Sequence, residues 1–285
     1  TTFDVTSRMP GTDLNDGYGE QVAITVDHTK TTPYDCLSWA AIIFSTTVKD
    51  TDGDGLIDKL EDTSGLKDPS GEPLPDLRAM GASSTRKDLF AEIGALWAEP
   101  GTAYGSGADV EVDGAGHTHL PTPAVLKMVG DAFKDAPVSN QDGSSGIKVH
   151  FDVGPAYHGV GPSYASTEAD EYIIPAGLAR GGEFIKEEAC VEDLAATPPK
   201  MCQFPAYPGT VSWKIGFQIY RDAPVGPGGQ QLTPADEDAC DETGDCRRRF
   251  DRVRKDVFHY LLYSHARGKP KQHDHGGQHQ HLQRG

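Results

Sequence analysis

The stretch TPAVLKMVGDAFK (122–134), continued through NQDG (140–143) to GIKVHFDV (146–153), decides the fold. Thr122 supplies a capping hydroxyl and Pro123 a residue pre-set for the first helical turn. Val125, Met128, Val129, Ala132 and Phe133 then recur at i, i+3, i+4, i+7 and i+8, which predicts one apolar stripe on a helix that Pro137 ends. An Asp-Gly turn follows. Beyond it Ile147, Val149, Phe151 and Val153 alternate with other residues, the period of a strand. A helix turning back into a strand predicts an α+β (or α/β) fold: a mixed sheet with a few packed helices and many loops.

Upstream, DLFAEIGAL (88–96) is short and apolar, and Gly94 favours a strand over a helix. Residues 100–120 read as a Gly-rich loop and 62–87 as a Pro/Gly/Ser-rich connection. Residues 37–48 (LSWAAIIFSTTV) read as a buried strand, and Val22, Ile24 and Val26 as a short alternating one. Downstream, 154–210 is mostly loop with a brief strand at Tyr172–Ile174. VSWKIGFQIY (211–220) reads as another strand, and Thr233-Pro234 as a helical start. From Arg247 to Ala266, Phe250, Val253, Val257, Phe258, Leu261 and Leu262 predict a long helix ended by Gly268 and Pro270. The tail, KPKQHDHGGQHQHLQRG (269–285), has no apolar period and reads as solvated chain. The expected organisation is a β-rich segment at 1–48, a metal-binding loop at 49–62, one α/β domain at 63–268 and the tail at 269–285.

Composition narrows the function. The 285 residues are 36% hydrophobic and carry 33 Gly and 20 Pro, as in a folded but loop-rich chain. A formal net charge of −17 repels phosphates, so nucleic acid and anionic membranes are poor partners and metal cations good ones. The longest apolar stretch, Cys36 to Val48, is about 13 residues, too short to span a bilayer. The chain opens on Thr-Thr-Phe-Asp rather than Met, which reads as a processed product. Cys190 with Cys202, and Cys240 with Cys246, are spaced for local disulfides, free thiols and a metal site being the alternatives; Cys36 is left over. Bridged pairs imply a secreted, extracellular or periplasmic setting.

The most specific signal is DTDGDGLIDKLE (50–61). A hard cation needs six to eight oxygens, and a loop that wraps one turns alternate residues inward. Asp50, Asp52 and Asp54 occupy loop positions 1, 3 and 5, and Gly55 the sharp turn at 6. Leu56 offers a backbone carbonyl at 7, Asp58 a side chain at 9, and Glu61 a bidentate carboxylate at 12. The pattern predicts Ca2+. Only the exit side (Ile57, Leu60) looks helical, so the loop resembles single EF-hand-like loops of thrombospondin-type and dockerin-like modules rather than a paired sensor.

Histidines give a weaker signal. His117 and His119 form H-x-H, which on a strand shares one face, with Asp109, Glu111 and Asp113 close in sequence. That pair is a secondary metal candidate, set against a plain polar loop. The helix-borne zinc motif H-E-x-x-H is absent, and so are G-x-S-x-G and a phosphate-binding G-x-x-x-x-G-K-[ST]. No catalytic residues are assigned, and Zn2+ is kept as a second possible cofactor that no motif in the chain supports.

Taken in order, DTDGDGLIDKLE, LRAMGASSTRKDLFAEI, GHTHLPTPAVLKMVGDAF, GIKVHFDVG and RKDVFHYLLYSHARG resemble secreted bacterial zinc-metallopeptidase-like proteins, over roughly residues 49–268. The resemblance implies an incomplete metallopeptidase-like domain, because in that family the zinc helix follows the segment matching Val257–Gly268. It implies a secreted, calcium-stabilised protein without a recognisable catalytic centre. The alternatives are a fragment of an active secreted zinc metallopeptidase and an extracellular structural or self-assembling protein. The apolar face of the expected helix over 250–262, without its zinc-helix neighbour, predicts self-association or another chain covering it.

Overall fold

Strand β1 (Asp88–Ala98) carries the architecture, because nearly all its residues are buried. A strand buried on both faces suits the continuous run Phe90-Ala-Glu-Ile-Gly-Ala-Leu96 better than a helix would. Gly94 has a specific reason: a Cβ there would lie 2.6 Å from the Tyr260 hydroxyl. The computed structural model describes residues 49–68, 71–106, 110–186, 190–192, 195, 197, 213–225 and 247–264. The expected strands at 22–26 and 37–48, the start at Thr233-Pro234, the tail, and Cys36, Cys202, Cys240 and Cys246 lie outside these residues.

The helical elements are α1 (Asp58–Asp62), α2 (Leu77–Met80), α3 (Pro123–Lys134) and α4 (Trp213–Asp222). After β1 come β2 (Thr102–Ser106), β3 (Glu111–Asp113), β4 (His117–Thr118), β5 (Lys148–Asp152), β6 (Phe184–Lys186), β7 (Cys190–Glu192) and β8 (Phe258–Tyr263). One sheet runs β4-β1-β5, with β6 and β8 also pairing with β1. β4 is antiparallel to β1 (Ala98 opposite His117) and β6 parallel to it (Leu96 opposite Ile185). A second sheet runs β3-β2-β7, antiparallel then parallel. The expected α+β class with a mixed sheet is therefore present.

The described residues fall into two compact units. One holds those up to Phe90 together with Met128–His150; the other holds Ala91–Lys127 and those from Phe151 on. In the first, Leu56, Leu66, Leu77, Met80, Phe90 and Val149 are buried, and the Phe90 ring stacks on His150 at 4.3 Å. In the second, Ile93, Leu96, Leu120, Leu126, Ile174 and Phe258 are among the buried residues.

Three expected elements form as predicted: β1 over 88–98, α3 over 123–134 and β5 over 148–152. The buried stripe of α3 is displaced, however. Pro123, Leu126 and Gly130 are buried, whereas Val125 and Met128 are exposed. Spacings of three and four fit either set, so periodicity alone did not choose the face. The brief strand at 172–174 is a single parallel bridge, Phe151 to Ile173.

Three expectations are overturned. Residues 100–120 contain the β2–β3 hairpin and β4, not only loop. Trp213–Asp222 is a helix, not a strand: the β-branched and aromatic content of VSWKIGFQIY suggested a strand, yet Ile215, Ile219, Trp213 and Phe217 also fit helical spacing. The expected 247–266 helix is replaced by a 3-10 turn (Arg252–Arg254) and by β8, whose exposure alternates residue by residue. Phe258, Tyr260 and Leu262 sit two apart, and that period prevails. Phe250 and Phe258 are buried, so the helix face expected to need a second copy or another chain does not exist. No helix among the described residues is long and apolar enough to cross a membrane.

The second unit contains an ionic core. Arg254, a residue of the 3-10 turn, reaches Glu92 at 2.6 Å and Asp152 at 2.7 Å, all three almost fully buried. Asp152 also accepts the backbone N–H groups of Arg180, Gly181 and Gly154. Arg249 and Arg247 flank Glu183 at 3.1 and 3.3 Å. Burial raises Glu92 to about 8 and Glu183 to about 7 against the opposing pull of these arginines.

Candidate metal centre

The loop from Asp50 to Glu61 is held open by its own carboxylates. Asp50 accepts the backbone N–H of Gly53 at 2.7 Å and of Gly55 at 3.1 Å. Asp52 accepts from Asp54 at 3.1 Å, and Asp54 from Leu56 at 2.7 Å. These local bonds explain why short Asp side chains occupy alternate positions. Gly55 sits at φ +98, a left-handed conformation that makes the sharp turn and that a side chain would strain. Leu56 is buried and anchors the loop, and α1 leaves it at Asp58.

Two overlapping carboxylate groups result: Asp50 with Asp52 and Asp54, and Asp54 with Glu61 and Asp88. Within each, one ligand atom per residue lies within 4.8 Å of the others. These clusters can hold a metal ion. Asp58 takes a different position. Its carboxylate accepts the Thr51 backbone N–H and hydroxyl, both at 2.7 Å, and pairs with Lys49 at 2.7 Å. The hydrogen bond from Lys49, then that from Thr51, holds Asp58 down to about 2. It therefore closes the loop's two ends on each other.

Asp88 is the member that sequence reasoning missed. Its backbone N–H donates to Asp54 at 2.8 Å, fixing the first residue of β1 to the loop. Its own carboxylate accepts the Ser83 N–H at 2.9 Å and contacts His150 Nε2 at 2.6 Å. Burial lowers His150 while Asp88 opposes that shift. The available signal was an acidic residue opening a strand that is apolar apart from Glu92, where a charge needs a partner.

The electrostatics are unfavourable without a cation. Glu61 is 1% exposed, and neither of its carboxylate oxygens has a hydrogen-bond partner. Burial, followed by the charges of Asp54, Asp52 and Asp88, pushes it up to about 9. Burial also raises Asp52 and Asp54, and one Asp52 oxygen has no hydrogen-bond partner. Lys87 brings an ammonium to the Asp52 carbonyl. A buried carboxylate in this setting either keeps a proton or meets a metal ion.

The histidine pair lies in the second unit. His117 opens β4, where it pairs with Ala98, and the Nε2 atoms of His117 and His119 are 3.0 Å apart. No family model, no curated protein and no solved structure matches the chain.

Proposed function

We propose that residues 50–61 bind one calcium ion and that the protein is a secreted, calcium-stabilised protein of the metallopeptidase-like kind, without a recognisable catalytic centre. The observation that carries the calcium reading is Glu61: a fully buried carboxylate with two unpartnered oxygens, at loop position 12, among Asp52, Asp54 and Asp88. The donors are all hard oxygens, which suit Ca2+ rather than a thiophilic or imidazole-seeking metal. A single loop with a five-residue exit helix favours a structural role, with an affinity on the order of 10⁻⁴ M or tighter.

The ion acts here by replacing protons and lysine as the counter-charge of the cluster. It holds Asp54 and Glu61 beside Asp88 and so fixes the start of β1. The extracellular setting rests on that calcium range and on the resemblance of the motif order to secreted metallopeptidase-like proteins. The test is thermal unfolding with excess calcium and with chelator: calcium raises Tm, and equal values in both conditions contradict the proposal.

A further inference from the structure

We propose that His117 and His119 form a second metal site, for a late first-row divalent ion such as Cu2+, Ni2+ or Zn2+, oriented by Asp113. His117 opens β4 and His119 follows its last residue, its N–H held by the Leu96 carbonyl at 3.0 Å, and the two rings are perpendicular with centroids 4.7 Å apart. Their Nε2 atoms converge to 3.0 Å. Two nitrogens bound to one ion at about 2.0–2.1 Å, with an angle near 90–110°, stand roughly 3.0–3.4 Å from each other. The observed separation therefore fits a shared ion with little rearrangement.

Asp113 supplies the outer support. Its Oδ2 lies 2.5 Å from His117 Nδ1, an acceptor that favours the tautomer with the proton on that nitrogen and turns Nε2 toward His119. Asp113 is itself fixed, because Oδ1 accepts the backbone N–H groups of Ala115 at 3.1 Å and Gly116 at 2.9 Å. Gly116 has φ +71, and a Cβ there would meet the Ala98 carbonyl oxygen at 2.6 Å, so the turn admits little variation. The arrangement matches a carboxylate–histidine–metal relay. Both histidines are half-buried, which leaves an approach for an ion and open positions for water or a small external ligand. Imidazole nitrogens select a different ion from the oxygen-lined loop, so the two sites do not compete. The rival account is a simple imidazole–imidazole hydrogen bond across the same 3.0 Å.

The experiment uses the full chain with His273, His275, His279 and His281 changed to Gln, in saturating Ca2+ so that the acidic loop is filled. Titration with Cu2+, followed by electron paramagnetic resonance, is expected to give one ion per chain with two-nitrogen coordination. His117→Gln or His119→Gln abolishes that signal, and Asp113→Asn weakens it by about ten- to a hundredfold. An unchanged calcium-dependent Tm in each variant shows that the fold and the loop are intact. Should a variant fail to fold, Zn2+ added to the four-Gln parent shifts the ¹⁵Nε2 resonances of His117 and His119 together. Copper binding that is the same in His117→Gln and parent, or imidazole resonances that do not move with Zn2+, overturns the proposal.

Discussion

The Asp54 carboxylate accepts the backbone N–H of Asp88 at 2.8 Å, so a loop residue is bonded to the first residue of the central strand. The Asp88 side chain in turn joins Asp54 and Glu61 in one carboxylate cluster. Asp88→Asn keeps that backbone bond and removes a negative charge from the cluster. Calcium affinity is expected to fall about tenfold, and the Tm in chelator to fall as well, because an amide has one acceptor oxygen whereas the carboxylate takes the Ser83 N–H on one oxygen and the His150 and Arg86 contacts on the other. Calorimetric titration and melting in chelator check both halves.

The pH dependence has a definite sign. Glu61 is raised from an ordinary 4.5 to about 9 in the folded, cation-free protein. In that window the folded state holds a proton that the unfolded chain has released. Stability without calcium is therefore greatest below pH 4.5 as far as this group is concerned, and declines as pH rises toward 9. Calcium takes the proton's place, so the Tm gain from calcium is expected to be larger at pH 8.5 than at pH 5.5. Melting curves at both values, with and without calcium, measure it. A gain that shrinks with pH contradicts the assignment of Glu61.

Arg254→Met tests the ionic core. It leaves Glu92 and Asp152 buried without their shared cation, and a loss of about 3–5 kcal/mol is expected from urea unfolding. Adding Glu92→Gln to that variant is expected to change little at neutral pH, because Glu92, already raised to about 8 by burial, goes higher still without Arg254 and takes a proton, leaving Asp152 as the stranded charge.

Gly182→Ala tests the backbone around Asp152. Gly182 has φ +72, and a Cβ would collide with the Val153 carbonyl oxygen. Strain and overpacking combine, and a loss of several kcal/mol in urea unfolding is expected. Gly159→Ala, where a Cβ meets nothing within 4 Å, is expected to cost less than about 1 kcal/mol.

Much of the candidate centre was legible because its chemistry is local. Asp50, Asp52, Asp54, Gly55 and Glu61 must follow one another at fixed spacing for one loop to wrap one ion. Asp88 was not legible, because its place beside Glu61 depends on how β1 meets the loop. The α3 and β5 segments were readable from caps and from clean periods of 3.6 and 2. FHYLLY (258–263) carries both periods at once, and pairing with β1 decided for the strand. Glu92 and Arg254 are far apart in sequence, and no local pattern announces a pair that only tertiary packing brings to 2.6 Å.

The most direct measurement is a calcium titration of metal-free protein, parent against Glu61→Gln, at pH 7. The parent is expected to bind one calcium ion with an affinity on the order of 10⁻⁴ M or tighter, taking up the ion as a proton leaves. Glu61→Gln keeps the parent's Tm in chelator, since its amide resembles the protonated carboxyl, but loses at least tenfold in affinity. Absence of binding by the parent in millimolar Ca2+, or equal affinity in the two proteins, contradicts the account.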